Sequence, residues 1–135
     1  MFRAGMSSPL FLLRIGTAAV WLVFGLVFKV LHVVPRHDDI VAAVLGPELA
    51  RPLTIAVGVA ETMLGLWILS ARWPRTCAAV QTLAIFGMNA LELTFAREHL
   101  LAPLPMVLAN IVFLTAGWYL ALQTHSRQTA VAEVR

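Results

Sequence analysis

Residues 53–70 form an apolar run that contains one carboxylate, Glu61, near its middle. A helix needs about 20 apolar residues, within a range of about 17–25, to cross the hydrocarbon core of a bilayer, so this run is long enough to span one. An ionisable side chain at that depth costs roughly 2.5–3.5 kcal/mol on insertion scales. The sequence therefore predicts a membrane-spanning helix in which Glu61 has a partner, a bound proton or a function.

The composition of the chain indicates that much of its surface contacts lipid instead of water. Of 135 residues, 60% are hydrophobic and 13% are charged, whereas a soluble domain has about 45–50% apolar and about 25% charged residues. The net charge of +3 comes from scattered residues, and no basic run with interleaved aromatic residues indicates nucleic-acid binding. The single cysteine, Cys77, excludes an intramolecular disulfide, a redox-active cysteine pair and a cysteine-rich metal site.

Four apolar runs predict four spanning helices. The loops between them are short, so helices that follow one another in the chain pack antiparallel. We therefore expect a single transmembrane domain of the all-α class, an integral membrane four-helix bundle with up-down topology. The predicted spans are residues 10–34, 53–70, 76–95 and 104–122.

The first loop and the tail have their own signals. Asp38 is a favourable N-cap, and Gly46 with Pro47 is a typical helix stop, which predicts a short helix between them. This helix is too short to span, so we expect it at the membrane interface. The polar tail, residues 125–135, is expected to fray.

Basic residues in the short loops predict the orientation. We call the end of the bundle with both termini and the second loop the inner end, and the opposite end the outer end. The inner end has six basic residues: Arg3, Arg14, Arg72, Arg75, Arg127 and Arg135. The outer end has four, diluted by carboxylates: Lys29, Arg36, Arg51 and Arg97. This difference predicts that both termini are cytoplasmic, in a plasma membrane such as the bacterial inner membrane.

Five polar residues cluster in the outer half of the predicted bundle, at least one from each span. At about 1.5 Å per residue they lie roughly 6–12 Å below its outer end. They are Lys29, Glu61, Asn89, Glu92 and Asn110. The inner half reads as nearly pure hydrocarbon, with Gln81 as the exception. This clustering is the strongest functional signal in the sequence.

Helical spacing predicts contacts within the cluster. Trp21, Gly25, Lys29 and His32 fall on one face of the first span, and Gly58, Glu61 and Gly65 on one face of the second. Small residues beside Glu61 allow close helix packing. We expect an ion pair between Lys29 and Glu61, with hydrogen bonds from Asn89 and Asn110. Glu92 is then left for His99 or water.

Three interpretations of the cluster are open. The polar residues can set the register of four helices, they can form a binding or proton-handling site, or they can form a subunit interface. Gly58 and Gly65 leave a homo-oligomer open. The spacing of His32, His37 and His99 matches no ligand motif, so no metal site is predicted.

Three sets of spaced residues resemble the DoxX-like family of small four-helix integral membrane proteins. They are Arg14, Trp21, Gly25 and Lys29 on the first span, Gly58, Glu61 and Gly65 on the second, and Asn110 after a proline on the fourth. The resemblance covers about residues 14–122. It implies an accessory membrane subunit of a quinone-linked redox system, beside a redox-enzyme partner subunit, rather than the catalytic chain.

The same resemblance implies roles for the cluster. A quinone head group would lie in the outer half, with its carbonyls accepting from Lys29 or Asn110. Glu61 or Glu92 would exchange protons, and the isoprenoid tail would lie in the apolar inner half. The alternatives are a membrane protein that handles protons or small solutes, and a purely structural subunit.

Overall fold

The computed structural model describes residues 8–135, which contain helices and no strand. Helix α1 (Ser8–Leu22) continues as a π-helical segment (Val23–Val30). It is followed by α2 (Arg36–Leu45), α3 (Pro47–Ser70), α4 (Pro74–Phe95), a 3-10 turn (Arg97–His99) and α5 (Pro103–Glu133). Four of these helices are long and apolar enough to cross a membrane. The all-α membrane bundle is therefore confirmed, while Arg3, which entered the orientation count, lies outside the described residues.

The first span ends at Val30, four residues before the predicted end. Its last turns are π-helical, and the amide of Val33 still reaches back six residues to the carbonyl of Val27 at 3.3 Å. His32 follows the helix with a φ of 58° and is exposed. The prediction that His32 shares a helix face with Lys29 is therefore wrong, because the regular 3.6-residue spacing does not continue that far.

The first loop contains the predicted short helix, α2, which packs against α3. It begins at Arg36, so the predicted N-cap role of Asp38 is wrong, and Pro35 occupies the cap position without a side-chain hydrogen bond. Helix α3 begins at Pro47, six residues before the predicted start of the second span. The change of direction is made at Gly46, whose φ of 96° favours glycine.

Helix α5 continues to Glu133, so the expectation of a frayed tail is wrong. At about 1.5 Å per residue its 31 residues extend about 46 Å, which exceeds the roughly 30 Å of hydrocarbon in a bilayer. The extension is tied to the rest of the bundle. The side-chain amide of Gln128 donates to the carbonyl of Ala71 in the α3–α4 turn at 2.9 Å.

The bundle consists of two closely packed helix pairs. The first helix packs along α3, α4 packs along α5, and the pairs meet where α1 contacts α5 and where α3 contacts α4. The core between them includes Trp21, Leu64 and Ile68. Large apolar side chains cover the outside, among them Phe86, which is 73% exposed. Such a surface fits lipid rather than water.

Candidate functional site

Lys29 and Glu61 form a buried ion pair between the first helix and α3. The Lys29 Nζ atom donates to both carboxylate oxygens of Glu61, at 2.6 and 2.7 Å. Lys29 is 8% exposed and Glu61 is 4% exposed. The predicted ion pair is therefore present, and Lys29 does not extend to the interface.

Two glycines bring the helices close enough for this pair to form. A Cβ atom on Gly25 would lie 2.6 Å from the carbonyl oxygen of Gly58, and one on Gly58 would lie 2.7 Å from the carbonyl oxygen of Gly25. Both distances are far below van der Waals contact, so the two backbones touch where Lys29 and Glu61 face each other. Small residues at such crossings are typical of helix packing in membranes.

The side chains of Asn89 and Asn110 form a hydrogen bond with each other rather than with the ion pair. The Nδ2 atom of Asn110 donates to Oδ1 of Asn89 at 2.9 Å, which joins α4 to α5. Among the described residues neither amide contacts Glu61 by a hydrogen bond, so the expected support of the ion pair by asparagines is wrong. The two asparagine side chains pair with each other instead, while Lys29 donates to both Glu61 oxygens.

Glu92 lies near the ion pair but outside it. It is half-buried at the outer end of α4 and, among the described residues, its carboxylate makes no hydrogen bond or ion pair. Lys29, Glu61 and Arg36 are all close enough to interact with it electrostatically. His99, the partner expected from the sequence, instead lies 3.9 Å from Glu98.

Residues of α2 and the start of α3 close the outer end. The guanidinium of Arg51 donates to the carbonyls of Lys29 and Val30, at 2.7 and 2.9 Å, and so caps the end of the first helix. Asp38 lies 2.8 Å from His32 and 3.6 Å from Arg51. These contacts hold α2 in place next to the ion pair, a role for Arg51 that its position in a predicted loop did not indicate.

His37 on α2 is buried next to the end of the first helix. Its ring stacks on Phe28 with centroids 6.2 Å apart, and its Nδ1 atom lies 3.3 Å from the carbonyl oxygen of Val34. Burial, together with the positive charge of Lys29, lowers the pKa of His37 below its ordinary value. The neutral imidazole is therefore the form that fits this position.

The inner half is more polar than predicted, because Arg14 is buried there. Its Nη1 atom donates to the carbonyl of Ile68 on α3 and its Nη2 atom to the hydroxyl of Thr124 on α5, both at 2.7 Å. Further along, Trp21 Nε1 donates to Gln81 Oε1 at 2.9 Å. The prediction of nearly pure hydrocarbon in this half is wrong. The sequence spacing could have indicated that Arg14 is buried, since it lies seven residues before Trp21 and so shares its helix face.

The outer residues thus divide into a sealed part and an accessible part. Lys29 and Glu61 satisfy each other and are closed off from the surroundings. Asn89, Glu92 and Asn110 are half-buried. They have unused capacity, because in the described structure the amide of Asn89 accepts but does not donate, and the Glu92 carboxylate has no hydrogen-bond partner. This part can donate to a carbonyl and accept a proton.

Comparison with known proteins identifies one similarity. A family model described as the DoxX-like family matches residues 18–118, which include all five residues of the outer cluster. Comparison with curated proteins and with solved structures gives no match.

Proposed function

Since the chain belongs to the DoxX-like family of integral membrane proteins, we propose that it is an accessory membrane subunit of a quinone-linked redox system. The polar head of a quinone would bind at the accessible part of the outer site. The observation that carries this proposal is the half-buried group of Asn89, Glu92 and Asn110, which has unused donor and acceptor capacity beside a sealed ion pair.

The geometry favours particular roles for these residues. Lys29 is buried in its ion pair with Glu61, so the donor proposed here for the quinone carbonyl is the amide group of the half-buried Asn89, which donates to no other described residue. Glu92 is the group that exchanges a proton, because its carboxylate has no hydrogen-bond partner among the described residues. Lys29 and Glu61 hold the first helix and α3 in register, and Asn110 holds Asn89 in position.

The partners and the location follow from the same proposal. Lipid contacts the apolar outer surface of the bundle, and a redox-enzyme subunit would receive or supply the electrons that the quinone carries. A second copy of the chain is a further partner open to test. We place the protein in a plasma membrane such as the bacterial inner membrane, with both termini cytoplasmic.

Native mass spectrometry tests the ligand site. The full chain is reconstituted in nanodiscs with a short-chain ubiquinone, and the retained quinone is compared between wild type, Asn89→Leu and Glu92→Gln. We expect Asn89→Leu to lower quinone occupancy about fivefold, since one hydrogen bond is worth about 1 kcal/mol. Glu98→Gln makes the same chemical change as Glu92→Gln at a carboxylate that is 77% exposed. It should leave occupancy unchanged.

Two results would argue against a quinone site at these residues. One is a chain that retains no quinone at all, and the other is equal retention by wild type and Asn89→Leu. Glu92→Gln separates binding from proton exchange. It should retain quinone but slow the proton uptake that accompanies quinone reduction by an added chemical reductant, since quinol formation takes up the same protons by any route.

A structural role is the second candidate function, and the ion pair favours it. A pair that is sealed, with both carboxylate oxygens satisfied and two glycine backbones in contact, is what register-setting residues require. In that case neither Asn89→Leu nor Glu92→Gln changes any bound ligand. Loss of Lys29 or Glu61 instead releases the partner subunit.

A further inference from the structure

A small cavity of about 20 Å³ lies at the inner end of the bundle, far from the outer site. Its walls include Arg14, Cys77, Gln81 and Thr124, and its mouth lies at the α3–α4 turn beside Arg72. Arg14 and Lys29 are fifteen residues apart on one helix, so the cavity and the ion pair are separated by about 22 Å.

Arg14 lines this cavity with a guanidinium that the described residues satisfy only in part. The residue is 6% exposed, and two of its nitrogens are engaged by Ile68 and Thr124. Its Nε atom is fully buried and has no hydrogen-bond partner among residues 8–135. An unsatisfied buried donor costs about 1–3 kcal/mol, and more in a charged group. Arginine cannot escape this cost by losing its proton.

The charge of Arg14 is also incompletely balanced. No acidic residue lines the cavity, and within the described residues no carboxylate forms an ion pair with Arg14. The carbonyl of Ile68 belongs to the C-terminal end of α3, which supplies a partial charge of roughly −0.5. A buried cation without a full counter-charge is costly. The cavity therefore suits an anionic group that accepts from the Arg14 guanidinium.

We propose that this cavity is a phosphate-binding site at the inner membrane surface. A cavity of about 20 Å³ admits one water-sized group, so one phosphate oxygen enters and accepts from the Arg14 guanidinium. The rest of the phosphate remains at the mouth, where the exposed Arg72 pairs with it. The phosphate group comes from an anionic lipid headgroup or from free inorganic phosphate, which offer the same oxygen to Arg14.

Lipid retention in nanodiscs tests the proposal with the full chain. Nanodiscs are made from phosphatidylcholine alone or mixed with phosphatidylglycerol, and lipids that remain bound after partial delipidation are counted by native mass spectrometry. We expect wild type to retain phosphatidylglycerol in preference to phosphatidylcholine. Arg72→Gln should lower this retention about fivefold, since a direct ion pair at an exposed site contributes up to about 1 kcal/mol.

Two further variants test whether the site is specific. Arg14→Lys keeps the charge and removes the guanidinium, and we expect it to lose the preference for phosphatidylglycerol. Arg75→Gln changes an exposed arginine in the first turn of α4 that does not line the cavity, and it should behave as wild type. Because Arg72 is exposed, Arg72→Gln reports on the site even if Arg14→Lys fails to fold.

Inorganic phosphate distinguishes the two sources. It is titrated onto the protein in phosphatidylcholine nanodiscs while the unfolding temperature is followed. A rise in the unfolding temperature that Arg72→Gln abolishes assigns the site to free phosphate, and retained phosphatidylglycerol that phosphate does not displace assigns it to lipid. The proposal is overturned if neither probe binds, or if Arg75→Gln weakens binding as much as Arg72→Gln.

Discussion

At the scale of single residues, two cations buried in the first helix are balanced by different means. Lys29 has a full counter-charge in Glu61, at 2.6 Å. Arg14 has a carbonyl and a hydroxyl as acceptors, and one of its nitrogens has no partner in the described part of the chain. The charge of Lys29 is therefore balanced by a side chain of the same protein, while the charge of Arg14 can still be balanced by a bound anionic group. The two ends of the first helix therefore differ in whether they can bind an anion.

Breaking the Lys29–Glu61 pair should destabilise the bundle more than replacing it. Glu61→Gln leaves a buried ammonium group without its counter-charge, and we expect a loss of about 3–5 kcal/mol in the free energy of unfolding. The double variant Lys29→Met/Glu61→Leu removes both charges and should lie close to wild type. Reversible unfolding in mixed micelles measures the free energy of unfolding of wild type and of both variants. A cost below about 1 kcal/mol for Glu61→Gln would show that the pair is not sealed.

Side-chain contacts could be predicted from the sequence where residues of opposite charge lie on facing helix stripes, and could not where a backbone carbonyl is the acceptor. The ion pair could be predicted because both partners are visible in the sequence. The contact of Arg14 with the Ile68 carbonyl could not, since every residue has a carbonyl and only tertiary packing selects one. For the same reason, the hydrogen bonds from Arg51 to the backbone carbonyls at the end of the first helix could not be predicted.

At the scale of elements, the π-helical segment is the part that the sequence did not predict. It carries Gly25 and Lys29, both buried against α3. π-helical turns are rare, and they occur frequently at functional sites. Periodicity correctly placed Trp21, Gly25 and Lys29 on the buried face, but it could not show where regular spacing ends.

Enlarging a glycine at the crossing should separate the first helix from α3. An alanine at Gly25 would place its Cβ atom 2.6 Å from the backbone of Gly58, and overpacking of this kind costs about 1–3 kcal/mol. Gly16→Ala is the matched control, since nothing lies within 4 Å of its added atom. The unfolding measurement should show a loss for Gly25→Ala and none for Gly16→Ala. Equal effects would mean that the helices do not touch there.

The docking of α2 should weaken in acid through His37. Burial and the charge of Lys29 lower its pKa, Arg36 acts in the same direction, and Asp38 and the Val34 carbonyl oppose them. The unfolded chain, with an ordinary histidine pKa of about 6.5, therefore binds more protons than the native protein. Stability is full above about pH 6.5 and is lost as the pH falls through that value toward the lowered native pKa.

Hydrogen exchange of the α2 amides, corrected for intrinsic rates, measures this effect between about pH 7.5 and about pH 5.5. Wild type should lose protection in acid, and His37→Gln should show a flat profile in this helix. His125→Gln, a histidine at the other end of the bundle, should behave as wild type. If His37→Gln keeps the wild-type pH dependence, another group controls the docking of α2.

At the scale of the whole molecule, two helix pairs are joined by a few side-chain bonds of high sequence separation. Trp21 with Gln81 joins α1 to α4, and Arg14 with Thr124 joins α1 to α5. The four spans and their order could be predicted from hydropathy because lipid forces backbone bonds into helices. The way in which the pairs meet could not, since apolar side chains have no preferred partner in lipid.

The positions of the charged residues in the structure also predict the orientation of the bundle in the membrane. Arg14 and Lys29 are held inside the bundle, so neither counts as a loop charge. Among the described residues the inner end then retains four arginines, which are Arg72, Arg75, Arg127 and Arg135. The outer end retains three, Arg36, Arg51 and Arg97, and Arg51 is engaged by the end of the first helix. The positive-inside rule again predicts an inner end in the cytoplasm.

Single-cysteine labelling in intact cells checks this orientation. Cys77→Ala removes the one native thiol, and Glu98→Cys or Ser126→Cys then places a thiol at the exposed outer or inner end. We expect a membrane-impermeant maleimide to label Glu98→Cys from outside, and Ser126→Cys only after the membrane is permeabilised. The reverse pattern would place both termini outside and the phosphate site on the external face. Labelling of both in intact cells would mean a mixed orientation, in which so small a difference in loop charge does not decide the topology.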